Sequence, residues 1–314
     1  MTRQSATRLG LRAAQIGFVA LIFAVLWHVA DGREALRLLR NADPWWLAAA
    51  VAALTVQTVL SALRWRLTAG QLGIAVGVRM AVREYYLSQI LNQSLPGGML
   101  GDAARAVRSR AQAGLARAGQ AVVLERLMGQ IVMFLVLAGA FLATWARPGG
   151  LDWPPAVALP VWVLLAAGFS APLVVLAAGH LPGLAGRMAA RLVEIVREGL
   201  TGGGTLGRQI VLSLGTAACN LAAFAFAAAA IGVTLPLATV LAVVPIVLFA
   251  MLVPLSVSGW GLREGAAAAL FPLAGATAAE GFATSVAFGL AFLVAVLPGA
   301  IPLLLGSRPR EVES

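Results

Sequence analysis

Long apolar runs dominate the chain, and the short segments between them carry most of its charge. A run of about twenty apolar residues is long enough to cross the hydrocarbon core of a bilayer as an α-helix. Such runs predict about six full spans, at residues 11–30, 45–63, 121–145, 155–179, 209–231 and 279–305. We therefore expect an all-α, polytopic helical membrane protein that forms a single integral membrane domain over residues 1–314.

Two further apolar stretches are interrupted by proline, glycine and charged residues. Both proline and glycine weaken a helix, and irregular backbone at membrane depth is tolerated only within protein or beside a water-filled cavity. We therefore expect two re-entrant segments near the centre of the protein. The first break contains Asn92, Pro96, Gly97, Gly98, Gly101, Asp102 and Arg105, and the second contains Pro254, Gly259, Gly261, Arg263 and Glu264.

Arginine-rich loops predict the orientation of the spans, because such loops remain on the cytoplasmic side. They place both termini in the cytoplasm. The first break then enters from the cytoplasmic side and the second from the outside. Interrupted segments of opposite orientation are typical of transporters built from inverted repeats, here with halves 1–150 and 151–314.

The composition supports a membrane protein and argues against several other classes. Only 11% of the residues are charged, against about 25% in soluble domains. The net charge of +10 comes from arginines between the apolar runs, which is typical of topology signals and contacts with anionic lipid, so nucleic acid is not an expected partner. Cys219, His28 and His180 are isolated, so we expect no disulfide, no metal site and no cofactor.

Asp102 and Arg105 lie three residues apart and therefore share one face of a helix. In a functional interpretation, Arg105 faces a cavity and holds a lipid phosphate through charge-assisted hydrogen bonds, while Asp102 either positions it or pairs with a cationic head group. Asp102 also follows Gly101 at the start of a predicted helix, where a carboxylate can cap the N-terminus. The sequence leaves both roles open.

Glu125 and Arg126 begin an apolar span, where a carboxylate needs a partner. We expect Glu125 to point into the helix bundle, next to an arginine or a backbone group of a broken helix, because an unpaired buried carboxylate is costly. Arg126 either joins this interior group or extends to the cytoplasmic interface. Arg263 and Glu264 either bind a phosphate from the opposite leaflet or form a cap and an interface pair.

Other arginines, namely Arg64, Arg66, Arg108 and Arg110, are expected to act only as signals that keep their loops in the cytoplasm.

Three ordered motifs resemble the lysylphosphatidylglycerol synthase transmembrane-region family. They are Leu95-Pro96-Gly97-Gly98 with Gly101-Asp102 and Arg105, then Leu124-Glu125-Arg126-Leu127, then Pro254 with Gly259-Trp260-Gly261 and Arg263-Glu264. The resemblance implies a flippase-like membrane module. Its best-known members carry a soluble aminoacyl-transferase domain as well, whereas here we expect a stand-alone module, because no such domain follows residue 305.

The resemblance therefore implies translocation of an anionic lipid, or of a lipid-linked biosynthetic precursor, rather than aminoacylation. The partners implied are membrane lipids with anionic head groups and lipid-biosynthesis enzymes. An alternative is a membrane-embedded enzyme or scaffold in glycolipid, polyprenyl-phosphate or hopanoid biosynthesis. No Walker-type nucleotide-binding loop is present, and we expect a protein that is not an enzyme.

Overall fold

A computed structural model describes residue 17 and residues 20–94, 99–146, 151–252 and 259–301, and within these ranges the chain is helical with no strand. Residues 95–98 and 253–258 lie outside the described residues. They include Pro96, Gly97, Gly98 and Pro254, so the expected geometry of these four residues is not described either. The class expected from the apolar runs, an all-α polytopic membrane protein, is confirmed.

The described α-helices are numbered here in chain order. They are α1 (Ala20–Val29), α2 (Gly32–Arg40), α3 (Pro44–Gln71), α4 (Val78–Ser94), α5 (Leu100–Arg108), α6 (Gly114–Ala146), α7 (Pro155–Ala178), α8 (Leu184–Thr201), α9 (Leu206–Ala230), α10 (Leu237–Ala242), α11 (Val244–Phe249), α12 (Leu262–Leu270) and α13 (Ala278–Val296). Short 3₁₀ turns follow α8, α11, α12 and α13.

Five helices of the described chain are long and apolar enough to cross a membrane: α3, α6, α7, α9 and α13 with its following turn. They coincide with five of the six expected spans. The remaining one, expected at residues 11–30, is represented among the described residues by the shorter apolar helix α1. The stretch Leu237–Leu252 is also shorter than a span, as an interrupted segment requires.

The centre of the fold is the pair α3 and α9, which pack against each other more extensively than any other two helices. Two hydrogen bonds define their direction: Gln209 Nε2 donates to Thr68 Oγ1 at 2.9 Å, and Arg64 Nη1 donates to Ser213 Oγ at 3.3 Å. Residue numbers rise along one helix as they fall along the other, so the pair is antiparallel. Helices α6 and α13 both pack against it, and α4 packs against α3 and α13.

Two helices next to the breaks, α5 and α12, have only nine residues each and are too short to cross the bilayer. Each packs closely against a longer neighbour through a glycine. A Cβ atom on Gly101 of α5 would lie 2.0 Å from the carbonyl oxygen of Ser88 in α4. A Cβ atom on Gly281 of α13 would lie 2.4 Å from the carbonyl oxygen of Ala267 in α12. Glycine therefore allows the close approach that holds both short helices in place.

Candidate functional site

A cavity of about 260 Å³ lies at the centre of the bundle. Its lining includes Asn92 and Gln93 from the start of the first break and Leu252, which precedes the second break. One wall is polar and comes from α3, α4, α5, α6 and α9. The remaining lining residues, called here the apolar wall, are mainly Met133, Leu248, Phe249, Met251, Leu252, Phe288 and Phe292.

Glu125 of α6 is fully buried at the polar wall, and its carboxylate contacts side chains from three other helices, α3, α4 and α5. Its Oε1 atom accepts hydrogen bonds from Arg64 Nη2 at 2.5 Å and from Tyr85 Oη at 3.2 Å. Its Oε2 atom lies 3.5 Å from Arg105 Nη2. The expectation that Glu125 points into the bundle beside an arginine is confirmed.

Asp102 is the second buried carboxylate of this group. It accepts hydrogen bonds from Ser88 Oγ at 2.8 Å, from Asn92 Nδ2 at 3.2 Å and from Arg105 Nη2 at 3.0 Å. It also forms an ion pair with Arg126. Asp102 therefore joins α4, α5 and α6 through its side chain.

Asp102 is not the N-cap of α5. Met99 occupies the N-cap position, and no side chain makes a capping hydrogen bond there. The backbone N–H of Gly101 instead donates to Asn92 Oδ1 at 2.8 Å. Asn92 thus satisfies backbone at the broken segment and also holds Asp102, while Asp102 remains in the first turn, where the helix dipole favours a negative charge.

Arg105 does not face the cavity, so that part of the sequence prediction is wrong. Its side chain is fully buried and is not among the cavity-lining residues. The guanidinium carbon lies 4.8 Å from the ring centre of Trp65 and 4.5 Å from that of Tyr85. Because Asp102, Glu125 and these two rings surround it, Arg105 forms a layer behind the cavity wall.

The arginines that line the cavity are Arg64 and Arg126. The side chain of Arg126 is 39% exposed, and its ion pair with Asp102 directs it to the interior group rather than away to the interface. Arg64 was expected to serve only as a topology signal in a loop. Its position contradicts that expectation, because its side chain is 4% exposed and paired with Glu125 inside the bundle. Arg108, by contrast, is partly exposed and pairs with Glu84 at 2.5 Å.

Charge is not balanced within this group. Three guanidinium groups, of Arg64, Arg105 and Arg126, contact two carboxylates, of Asp102 and Glu125. In their ordinary ionisation states they leave an excess of one positive charge beside the cavity. Since buried charge is costly without a partner, the group is suited to a monoanion. No cluster of metal-binding side chains is present among the described residues.

The second break forms a separate buried group. Glu264 Oε2 accepts from the backbone N–H of Gly261 at 2.6 Å, and Glu264 Oε1 accepts from Arg263 Nη2 at 2.5 Å. Arg263 Nε also donates to Ser285 Oγ at 2.9 Å. The predicted cap is therefore present, but the pair is fully buried rather than at an interface.

Arg263 and Glu264 do not line the cavity. Phe288 lines the cavity and lies between it and Arg263, since the Phe288 ring centre is 5.3 Å from the Arg263 guanidinium carbon. Gly259 and Gly261 adopt φ values of 82° and 90°, a backbone region that strongly favours glycine. These glycines shape the turn into α12, and Arg263 supports the apolar wall from behind.

A ladder of polar residues runs along α3 and α9, and the sequence analysis missed it. Its detectable signal is one spacing repeated in both helices, i, i+4, i+7 and i+11, which places the residues on one helical face. In α3 these residues are Gln57, Ser61, Arg64 and Thr68, and in α9 they are Gln209, Ser213, Thr216 and Asn220.

Comparison with known proteins assigns the family. The family model described as the lysylphosphatidylglycerol synthase TM region matches residues 12–299, which is nearly the whole chain. The chain belongs to this family. Membership of the lysylphosphatidylglycerol synthase TM-region family confirms the resemblance carried by the three motifs and indicates a role connected with membrane lipids. No curated protein and no solved structure matches the chain.

Proposed function

We propose that this protein translocates an anionic lipid, or a lipid-linked biosynthetic precursor, across the bacterial inner membrane without making or breaking a covalent bond. The observation that carries the proposal is the excess positive charge beside a central cavity. The family's connection with lipids and the pairing of a polar wall with an apolar wall also support it. In this proposal both termini lie in the cytoplasm, and the partners are membrane lipids with anionic head groups.

The head-group phosphate is expected to bind Arg126 first, because its guanidinium lines the cavity and remains partly accessible. A guanidinium can donate two parallel hydrogen bonds to phosphate oxygens. Arg64 lies on the same wall and adds a second positive charge. Asp102 and Glu125 hold these arginines in place while no substrate is bound. The apolar wall can contact the first carbons of an acyl chain without removing water from a polar side chain.

The test is leaflet exchange in vesicles that contain the purified protein and tail-labelled fluorescent phosphatidylglycerol or phosphatidic acid. A membrane-impermeant reductant quenches only the lipid in the outer leaflet, so exchange appears as quenching beyond the outer half. We expect Arg126→Ala to lower the exchange rate at least about tenfold, the loss expected for a charge-assisted phosphate contact. Arg110→Ala removes an exposed arginine away from the cavity and is the matched control.

Exchange that is equally fast with Arg126→Ala and with Arg110→Ala would contradict the role given to Arg126. If vesicles with the unmodified protein exchange neither lipid, the translocation proposal fails. The result would then favour the alternative role as an enzyme or scaffold in membrane-lipid biosynthesis.

A further inference from the structure

Beyond its two arginines, the cavity is lined by several carboxamide side chains. We propose, on the basis of the proposed lipid translocation, that the head group is a phosphodiester with one negative charge and a neutral, hydroxyl-rich substituent such as a polyol or sugar. Gln57, Gln130 and Asn220 are the residues that recognise these hydroxyl groups.

The first step is the position of these residues relative to the arginines. The hydrogen bonds Thr68–Gln209 and Arg64–Ser213 fix the antiparallel register of α3 and α9. That register places Ser61 opposite Thr216 and Gln57 opposite Asn220, and all four line the cavity. The cavity wall therefore has three successive levels along these helices. They are a charged level at Arg64, a hydroxyl level at Ser61 and Thr216, and a carboxamide level at Gln57 and Asn220.

Helix α6 completes the carboxamide level. Gln130 follows Arg126 by four residues and so lies one turn further along the same face of the helix. A Cβ atom on Gly129 would lie 3.0 Å from Arg64 Nη2, so α6 runs past Arg64 at this point. Gln130 is therefore positioned beyond the arginines, on the side of the hydroxyl level, and it also lines the cavity.

The second step is the hydrogen-bonding capacity that these side chains leave unused. The side chains of Gln130 and Asn220 make no hydrogen bond with another described residue. Gln57 donates to Ser61 Oγ at 3.2 Å and accepts from Thr58 Oγ1 at 3.4 Å, which leaves one of its N–H donors without a described partner. A carboxamide presents two donors and an acceptor on a neutral group. A hydroxyl group is likewise both donor and acceptor, so a polyol can satisfy several carboxamides at once without changing the charge of the site.

The third step excludes other common head groups. An ammonium group would meet an excess of positive charge, and both carboxylates near the cavity are already paired with arginine. A bare phosphate monoester could bind the arginines, but it would leave the carboxamide level without partners. A site built to hydrogen-bond a substrate hydroxyl discriminates strongly against an analogue that lacks it, because the polar groups then remain unpaired.

The test compares lipids that share acyl chains and fluorophore but differ in head group. Purified protein in vesicles is assayed with tail-labelled phosphatidylinositol, phosphatidylglycerol, phosphatidic acid and phosphatidylethanolamine. We expect the two polyol diesters to exchange at least about tenfold faster than phosphatidic acid, and phosphatidylethanolamine to be the slowest. The double variant Gln130→Leu/Asn220→Leu is expected to lower this ratio to about one by slowing the polyol lipids alone.

The matched control is Gln120→Leu, which changes a glutamine of the same helix α6 outside the cavity and should leave the ratio unchanged. Exchange of phosphatidic acid in the same preparation shows whether a variant is folded. If the unmodified protein exchanges all anionic lipids equally fast, the head-group proposal is overturned while translocation stands. This comparison uses only the unmodified protein, so it does not depend on whether a variant folds. If it exchanges no lipid, the translocation proposal itself fails.

Discussion

At the residue scale, the arginines of the two groups divide into those that line the cavity and those that hold the wall behind it. Arg64 and Arg126 belong to the first group, and Arg105 and Arg263 to the second. Both arginines of the second group have an acidic neighbour and two aromatic rings around the guanidinium. Their surroundings indicate a positioning role rather than contact with a substrate.

For Arg105→Ala we therefore expect a loss of stability of about 3–5 kcal/mol, because the change leaves a buried ion-pair network incomplete. The measurement is thermal unfolding in detergent, with yield from the membrane as a second readout. Arg126→Ala is the comparison, and it should unfold much closer to the unmodified protein because Asp102 keeps its hydrogen bonds from Ser88 and Asn92. An Arg105→Ala protein of normal stability that has lost translocation would instead give Arg105 a direct role.

At the element scale, the site depends on two short helices that cannot span the bilayer and must be held by their neighbours. Helix α5 brings Asp102 and Arg105 to Glu125 only because Gly101 lets it approach the carbonyl oxygen of Ser88. The hydrogen bond from Gly101 to Asn92 connects the same two helices. Movement of α5 would therefore separate Asp102 from Arg126 and Arg105 from Glu125.

Gly101→Ala tests this contact with the smallest possible side chain. The added Cβ atom would lie 2.0 Å from a backbone oxygen, so α5 must shift, at a cost of about 1–3 kcal/mol. Gly119→Ala in α6 is the control, since a Cβ atom there meets nothing within 4 Å, and alanine should stabilise the helix by about 0.5–1 kcal/mol. The unfolding temperature should fall for Gly101→Ala and rise for Gly119→Ala. Equal shifts of the two variants would show that the close approach of α5 to α4 is unimportant.

At the scale of the whole molecule, the proposed transport requires a defined orientation in the membrane. The loop at Arg110 and the segment at Asp152 lie at opposite ends of the spanning helix α6. The arginine distribution predicts that the Arg110 loop is cytoplasmic and that Asp152 is outside. The chain has a single cysteine, Cys219. Once Cys219 is replaced, a thiol reagent can label only a cysteine that has been introduced.

Cysteine labelling tests this orientation. In a Cys219→Ala background, Asp152→Cys should react with a membrane-impermeant thiol reagent in intact cells. Arg110→Cys should react only after the membrane is permeabilised. Both positions are exposed, so access to each depends on the side of the membrane rather than on burial. The reverse labelling pattern would contradict the cytoplasmic placement of the termini.

The sequence by itself determined five of the spans, the apolar stretches too interrupted to be spans, and the inward position of Glu125. These are local properties: the length of an apolar run decides whether a helix can cross the bilayer, and proline and glycine weaken a helix wherever they occur. A carboxylate inside a span also needs a partner on whichever helix supplies one. None of these conclusions requires knowledge of how the helices pack.

Only the tertiary structure decided which arginines line the cavity. Arg105 and Arg126 both follow an acid on a short polar stretch, but the rotation of a helix about its own axis is set by the helices that pack around it. Packing turns Arg105 towards Trp65 and Tyr85 and leaves Arg126 at the cavity. The polar ladder of α3 and α9 likewise becomes part of the cavity wall only through their antiparallel register, a relation between residues about 140 to 160 positions apart that no local pattern contains.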